Sequence, residues 1–587
     1  MKRYSVYKRR VGIFMGIVLV GSLSGCGSKT HTASAANTSN ANASTSSSSS
    51  STSSHGGTVV QALGPLVSIN WYLPLRPVAY NSLYDAWAAS LMYKGLFHLN
   101  ASGKIDYSRS IASNVSWNSK GTVYTVKMNP KWKWSNGTPV TASDVAFTWN
   151  LIKAASAPTA PRPWPYAGAG SGGIPAMIQG FKVLGTHEFQ VTLKKPVNQL
   201  WFEYNGLSDF TPLPKAAWDK YPTNLNKELS YLASNGNNAS FFKVIDGPFI
   251  LKSAKRNVAW TFVPNPKYDG HKASISRFVL AYETSNSAEV NALKTGTVQV
   301  GYLPLSMYSS RKQLTQDKFV ETKRFVIDRT MLNFKSPTVG SAMKQLAVRK
   351  ALQMGIDQKS IIKDIYDGLG TPGTGPIPLN PATFLDPKLK TPVYQFNPAA
   401  GKKLLQQNGW HEVGGVMQNS KGVKLSFNVQ YPAGNTSTQA MAQLLQQDWG
   451  KEGIQIKLQP LPFATMLHYH HSPAKWDIQT GLGWSYGGTY PTGGGMFSST
   501  GGYNFYGYSD PKMNQLVNQT HQPHATTAES QKALDAYQMY AAQQLPNLWM
   551  PVPDALTEVS KNVHGAVKYG NTFTNQISPQ YWTVSGK

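Results

Sequence analysis

The spacing of hydrophobic residues along this chain switches between period two and period three to four. Thr58-Val59-Val60-Gln61-Ala62-Leu63 predicts a first strand. Residues 82–97 place Leu83, Trp87, Leu91 and Met92 at helical spacing. Tyr124, Val126 and Met128 alternate with Thr125, Lys127 and Asn129, as in a strand with one buried face. Trp132 and Trp134 alternate likewise, and Asn136-Gly137 behind them is a tight-turn signal. Thr141-Ala142-Ser143-Asp144 has capping-box spacing, and Val145, Thr148, Trp149 and Ile152 share one helical face. Residues 123–153 thus read strand, turn, helix, and the Ala-, Gly- and Pro-rich stretch 155–180 reads as a loop. Further on, Asn397 caps a helix that has Pro398 in its first turn and Gly409 as its stop. Another helix over 437–449 turns Met441, Leu444 and Leu445 inward, flanked by the strands "LSFNVQY" and "IQIKLQPL". There is no internal repeat and no heptad run. The class is α/β, and 587 residues call for at least two lobes. No clean linker follows residue 57, so crossing strands and a discontinuous domain are expected.

The first residues break this texture. Lys2, Arg3, Lys8, Arg9 and Arg10 precede an uncharged apolar run over 11–20, and small residues follow up to Gly25. That is the layout of a secretory signal. The run is too short to span a bilayer, which takes roughly 20 residues. Cys26 is the only cysteine, so no disulfide can form within the chain. Leu23-Ser24-Gly25-Cys26 resembles the bacterial lipobox. That resemblance implies a lipoprotein signal peptide over 1–25 and acylation of Cys26. Each buried CH₂ contributes roughly 0.8 kcal/mol, so two or three chains anchor firmly where one does not. Residues 26–57 are then the lipidated Cys and a disordered Ser/Thr-rich tether. The expected location is the outer face of the cytoplasmic membrane, on a Gram-positive cell surface.

Charge changes the picture less. The formal net charge is +28, but Lys and Arg are spread along the chain rather than bunched. No nucleic-acid stripe is visible. Acids are scarce, 28 Asp plus Glu, and a surface poor in carboxylates changes charge little at low pH. An acidic habitat is the expectation.

Several stretches in order resemble the family 5 extracellular solute-binding proteins. "WKWSNGTPVTASDVAFTWN" (132–150) is similar to that family's signature region, carrying Trp134, Gly137, Pro139, Thr141, Asp144, Val145 and Phe147. "VRKALQMGIDQKSII" (348–362) with "GPIP" (375–378) and "NPAAGKKLLQQNGW" (397–410) are similar to two further regions. The resemblance implies a two-lobed periplasmic-binding-protein-like fold of type II, cluster C, with an extra subdomain in the first lobe. It places the first lobe at 58–330 with the insertion at about 105–235, the second at 331–545, and a return segment at 546–587. It further implies a receptor of an ABC importer, with no catalysis of its own, no cofactor and no metal. The receptor captures oligopeptides as its lobes close. Its partners are a membrane permease and separate ATPase subunits. No P-loop motif stands in this chain.

"WDIQTGLGWSYGGTYPTGGGMF" (476–497) is the candidate site, a strand running into a loop dense in Gly, Trp and Tyr. In peptide-binding relatives the matching segment carries an Asp that grips the ligand's ammonium. Here Trp484 matches, but Gly487-Gly488 fills the place of the Asp, and no acid stands between Asp477 and Asp510. Trp484, Tyr486, Gly487, Gly488 and Tyr490 are the ligand candidates, with Trp71 and Tyr72 as further ones. No Arg follows Arg349, which leaves Lys to meet a ligand carboxylate in the second lobe. An oligosaccharide or a metal complex are alternative ligands. Gly483-Trp484-Ser485-Tyr486-Gly487 fits G-x-S-x-G, but a nucleophile elbow needs a helix after the turn, and "GTYPTGGG" makes a poor one. His468-Tyr469-His470-His471 reads as a surface loop rather than a metal site.

Overall fold

The computed structural model describes residues 56–585 apart from 66, 434 and 471. The signal segment, Cys26 and the tether up to residue 55 lie outside the described residues.

Along the chain come β1 (Thr58–Ala62), α1 (Leu83–Met92), β2 (Ala112–Trp117) and β3 (Val123–Met128). Next are α2 (Ala142–Ala155), β4 (Ile178–Gly185), β5 (Glu188–Leu193) and α3 (Gln199–Asn205). Then follow β6 (Phe249–Lys255), β7 (Ala259–Pro264), β8 (Arg277–Ala281), β9 (Val300–Gly301) and β10 (Asp317–Thr322). β11 (Val326–Leu332), α4 (Pro398–Gln407), β12 (Ser426–Pro432), α5 (Thr436–Lys451) and β13 (Gln455–Leu461) succeed them. The last elements used below are β14 (Ile478–Gln479), β15 (Trp484–Ser485), α6 (Pro511–His521), β16 (Asn547–Met550) and β17 (Ala555–Ser560).

Two large sheets organise these elements. The first is seven-stranded, in the order β10-β17-β9-β1-β8-β7-β6. The second has six strands, β13-β12-β14-β11-β15, with β16 also paired to β11. A separate four-stranded sheet, β2-β3-β5-β4, is built from the stretch between β1 and β6. β12, α5 and β13 form a parallel βαβ unit: Ser426 pairs with Gln455 and Pro432 with Leu461, with the helix between them.

Local chemistry explains the elements near the signature region. β3 buries Tyr124, Val126 and Met128 on one face. Gly137 sits at φ +91°, a conformation that suits glycine, and its N–H donates to Trp134 O at 2.8 Å. The capping box at Thr141 and Asp144 is formed, and α2 buries Val145, Thr148, Trp149 and Ile152. Asn397 caps α4 through Ala400 N at 3.0 Å, and Gly409 lies at φ +82° beyond its end.

Some expectations need correcting. α1 ends at Met92, because Tyr93 turns extended, and Leu83 is exposed at its start. Trp132 and Trp134 are buried but flank a turn closed by the single bridge Lys133–Pro139, not a strand. In α5, Leu444 is only partly buried, while Trp449 joins Met441 and Leu445 inside. The chain leaves the first sheet between Thr322 and Val326, earlier than 330, because β11 pairs with β14, β15 and β16. It returns between Met550 and Ala555, later than 546, because β16 still belongs to the second sheet.

Candidate functional site

The two strand crossings lie side by side. Lys323 on one bonds Asp554 on the other at 3.0 Å and reaches Glu321 at 3.4 Å. β11 starts directly after its crossing and carries Asp328 and Arg329 within an otherwise apolar strand. β15 pairs with it, Ile327 opposite Trp484 and Val326 opposite Ser485.

The loop after β15 forms a seam between the lobes. Trp484 is partly buried, edge-on to Tyr503 at 4.7 Å, with the Arg329 guanidinium 5.8 Å from its ring centre. Tyr486 is buried, donates its hydroxyl to Pro376 O, and packs 5.4 Å from Phe325. Gly487 and Gly488 occupy the middle of a turn at φ +59° and +91°, closed by Thr489 N to Tyr486 O at 3.0 Å. A Cβ on Gly488 would meet Leu99 and Thr574 at 3.0 Å, so this glycine lies against the first lobe. Tyr490 is buried, and its backbone exchanges two hydrogen bonds with Asn205 of α3, at 2.7 and 3.0 Å.

Other contacts extend the seam. Asn198, the cap of α3, donates to Thr520 O and His521 O, both at 2.9 Å. Trp201 stacks on His521 at 4.0 Å. Burial lowers His521 from its ordinary 6.5 to about 4. Asn575 donates to Ser485 Oγ at 2.9 Å. Phe325, Phe384 and Phe573 form an aromatic cluster, with Tyr490 edge-on to Phe384 at 5.2 Å.

Trp71 and Tyr72 sit elsewhere, in the core of the first lobe. Trp71 donates to Leu75 O at 2.9 Å and stacks on Tyr80 at 4.9 Å. The Tyr72 hydroxyl accepts from Trp260 Nε1 at 2.9 Å. The structure thus brings Trp484, Tyr486, Gly487, Gly488 and Tyr490 together and leaves Trp71 and Tyr72 apart from them. Ser485 is followed by the glycine turn, not by the helix that a nucleophile elbow requires. His470 stacks on Phe505 at 3.6 Å and pairs with Gln479 at 3.0 Å. Among the described residues no group of three His, Cys, Asp or Glu could hold a metal.

A crevice opens beside the crossings, lined by Lys323, Arg324, Asp328, Gly373, Asn380 and Asp554 among others. It has room for about 20 Å³, close to one water, and its walls come from the second lobe and the crossings. Burial pushes the Asp328 carboxyl up to about 6, against the pull of Arg324 and Arg329. The sequence reading missed Asp328, Arg324, Asn205 and His521. For Asp328 a signal existed: charges inside the apolar run "FVIDRTML". β11 also supplies Arg329 to the second sheet, so that lobe is not limited to Lys.

Two α/β lobes joined by paired strand crossings, with a seam between them, define the class of two-lobed periplasmic-binding-protein-like folds. The profile of the bacterial extracellular solute-binding proteins, family 5, matches residues 106–506, and the chain belongs to that family. It is similar to the oligopeptide-binding protein AppA of Bacillus subtilis, 24% identical over 496 residues, covering 82% of this chain and 86% of that one. It is also similar to the periplasmic oligopeptide-binding protein OppA of Salmonella typhimurium, 24% identical over 430 residues, covering 69% and 72%. Among solved structures, AppA from Bacillus subtilis with a nonapeptide superposes at TM-score 0.72 and 19% identity, over 90% of this chain and 99% of that one. NikA from Brucella suis with Fe(III)-EDTA gives 0.73 and 17%, over 90% and 100%.

Proposed function

We propose that this chain is the extracellular substrate-binding lipoprotein of an ABC importer. It captures oligopeptides by closure of two lobes and hands them to a membrane permease driven by separate ATPase subunits. The lipid anchor is Cys26, and the chain has no catalytic step of its own. The observation that carries this reading is the connection between lobes. Each lobe has its own sheet, and among the described residues only two adjacent crossings, at 323–325 and 551–554, join them. Such a joint permits hinge motion without breaking either sheet. The lobes then span 58–322 with 555–585, and 326–550. The names of the relatives supply the ligand class, since AppA and OppA are oligopeptide-binding proteins.

Native mass spectrometry of the full-length chain in detergent, before and after unfolding, tests this. Released short peptides are the expected result. A single sugar or metal-complex mass overturns the peptide assignment. Incorporation of labelled fatty acid into the wild-type chain and its loss in Cys26→Ser are expected if Cys26 is the anchor; label retained by that variant removes the anchor reading.

A further inference from the structure

The chain enters the first lobe at a point held from two sides. Gly57 N donates to Ser276 Oγ at 3.1 Å, and Gly57 O accepts from Ser276 N at 3.0 Å and Arg277 N at 3.3 Å. A Cβ on Gly57 would stand 3.2 Å from Val584. Thr58 then pairs with Arg277 as β1 joins β8. In the sequence, thirty residues, 27–56, separate Cys26 from this point. A coil of thirty Gly- and Ser-like residues spans roughly 30 Å. An anchor at Cys26 therefore keeps the entry point within about that distance of a bilayer.

The surface beside the entry point is basic and aromatic. Tyr581, three residues before Val584, stacks with His271 at 4.4 Å and with Tyr569 at 4.9 Å. Three residues of chain reach at most ~11 Å. The Arg109 guanidinium lies 5.1 Å from the Tyr581 ring centre, and Lys568 Nζ lies 5.3 Å from that of Tyr569. Tyr569 is 39% exposed, and His271, Arg277 and Lys568 are exposed as well. Among the described residues, Arg109, Arg277 and Lys568 form no ion pair within 4.0 Å. Two acids stand near. Asp106 offsets part of the Arg109 charge and takes hydrogen bonds from Ser108 N and Oγ, at 3.0 and 2.6 Å. Asp269 accepts from Lys133 N at 2.9 Å.

Tyrosine has an apolar ring and a polar tip, and it settles at the headgroup level of a bilayer. Lys and Arg beside it meet lipid phosphate, and each strengthens binding to an anionic surface about fivefold. We propose that this face of the first lobe, Tyr569, Tyr581 and His271 with Arg109, Arg277 and Lys568, docks on anionic phospholipid headgroups. The proposal rests on the anchor reading for its orientation and adds to it. An acyl anchor fixes where the chain is tied; this face fixes which way the lobe lies.

The test is flotation of the full-length Cys26→Ser chain, to which no acyl chain contributes, with vesicles of phosphatidylcholine with and without phosphatidylglycerol. The expected result is a preference for the anionic vesicles. It should fall about fivefold per charge removed in Arg109→Gln/Lys568→Gln, and Arg109→Lys/Lys568→Arg should keep it. The signal segment is common to all three chains, so a difference between them belongs to this face. A Gln pair that melts like its parent and floats equally well overturns the proposal. So does loss of flotation when soluble polyglycerol phosphate is added at equal phosphate, which makes a wall polymer the occupant. Fatty-acid labelling of the wild-type chain is read separately. An unlabelled Cys26 fails the anchor reading alone, and flotation that ignores Arg109 and Lys568 fails the docking face alone.

Discussion

The turn-and-cap segment 132–150 and the loop 476–497 are both rich in Gly and aromatic residues, but they bond to different places. In the first, Asp144 accepts from Thr141 N at 2.8 Å and from Trp134 Nε1 at 3.3 Å. Its most distant donor along the sequence is Lys215 N at 3.0 Å, still in the same lobe. In the second, Ser485 reaches Asn575 and Tyr490 reaches Asn205, both in the other lobe. One segment bonds within its own lobe. The other holds two lobes together. Damage to the first should be felt as lost stability, and damage to the second as a shift in opening.

The largest effect is expected at Asp144. Asp144→Ala leaves four donors without their acceptor and should lower stability by ~3 kcal/mol, read by urea unfolding. Ligand affinity per folded molecule should not change. Equal losses of affinity and stability would break the comparison.

Asn205→Ala strips both bonds from the Tyr490 backbone. It should cost ~1–2 kcal/mol of closure, so affinity falls about 5- to 30-fold. The urea midpoint should move much less than in Asp144→Ala. Small-angle scattering of the unliganded protein should show a more open shape.

Acid acts on stability and on closure with opposite sign. Burial pushes Glu203, Asp209 and Glu289 up to about 7, and Glu452, with Asp448 beside it, to about 9. A carboxyl raised in the folded state contributes stability that is present below its unfolded value and is lost as pH rises through its folded value. These groups should make the melting temperature higher at pH 5 than at pH 8. His521 acts oppositely. Its closed-state value of about 4 lies below the ordinary 6.5, so the open form takes up a proton that the closed form refuses. Closure should weaken as pH falls from 6.5 towards 4, and His521→Phe should flatten that trend in scattering. A melting temperature that falls steadily from pH 8 to pH 5 would contradict both the carboxyl argument and an acidic habitat.

The local segment was legible because its causes are local. Thr141 and Asp144 are three residues apart, and a capping box needs nothing else. The lobe boundaries were less so, because β11 is placed by antiparallel partners 146 to 159 residues away. The site was half legible. Composition singled out Trp484, Tyr486 and Tyr490, but Trp71 and Tyr72 have the same composition and sit in a core. Asp328 is tied to the loop only through the pairing of β11 with β15, which no local spacing reveals.

The two glycines of the seam turn differ in what a side chain would meet. Gly488 is walled by Leu99 and Thr574, whereas a Cβ on Gly487 meets nothing within 4 Å. Asp tolerates the left-handed backbone better than most residues, at a cost of about 1 kcal/mol. An acid is therefore one substitution away at 487, while at 488 it also needs compensating changes on the opposite lobe. For a lineage changing its diet, the first position is an open door and the second is a locked one.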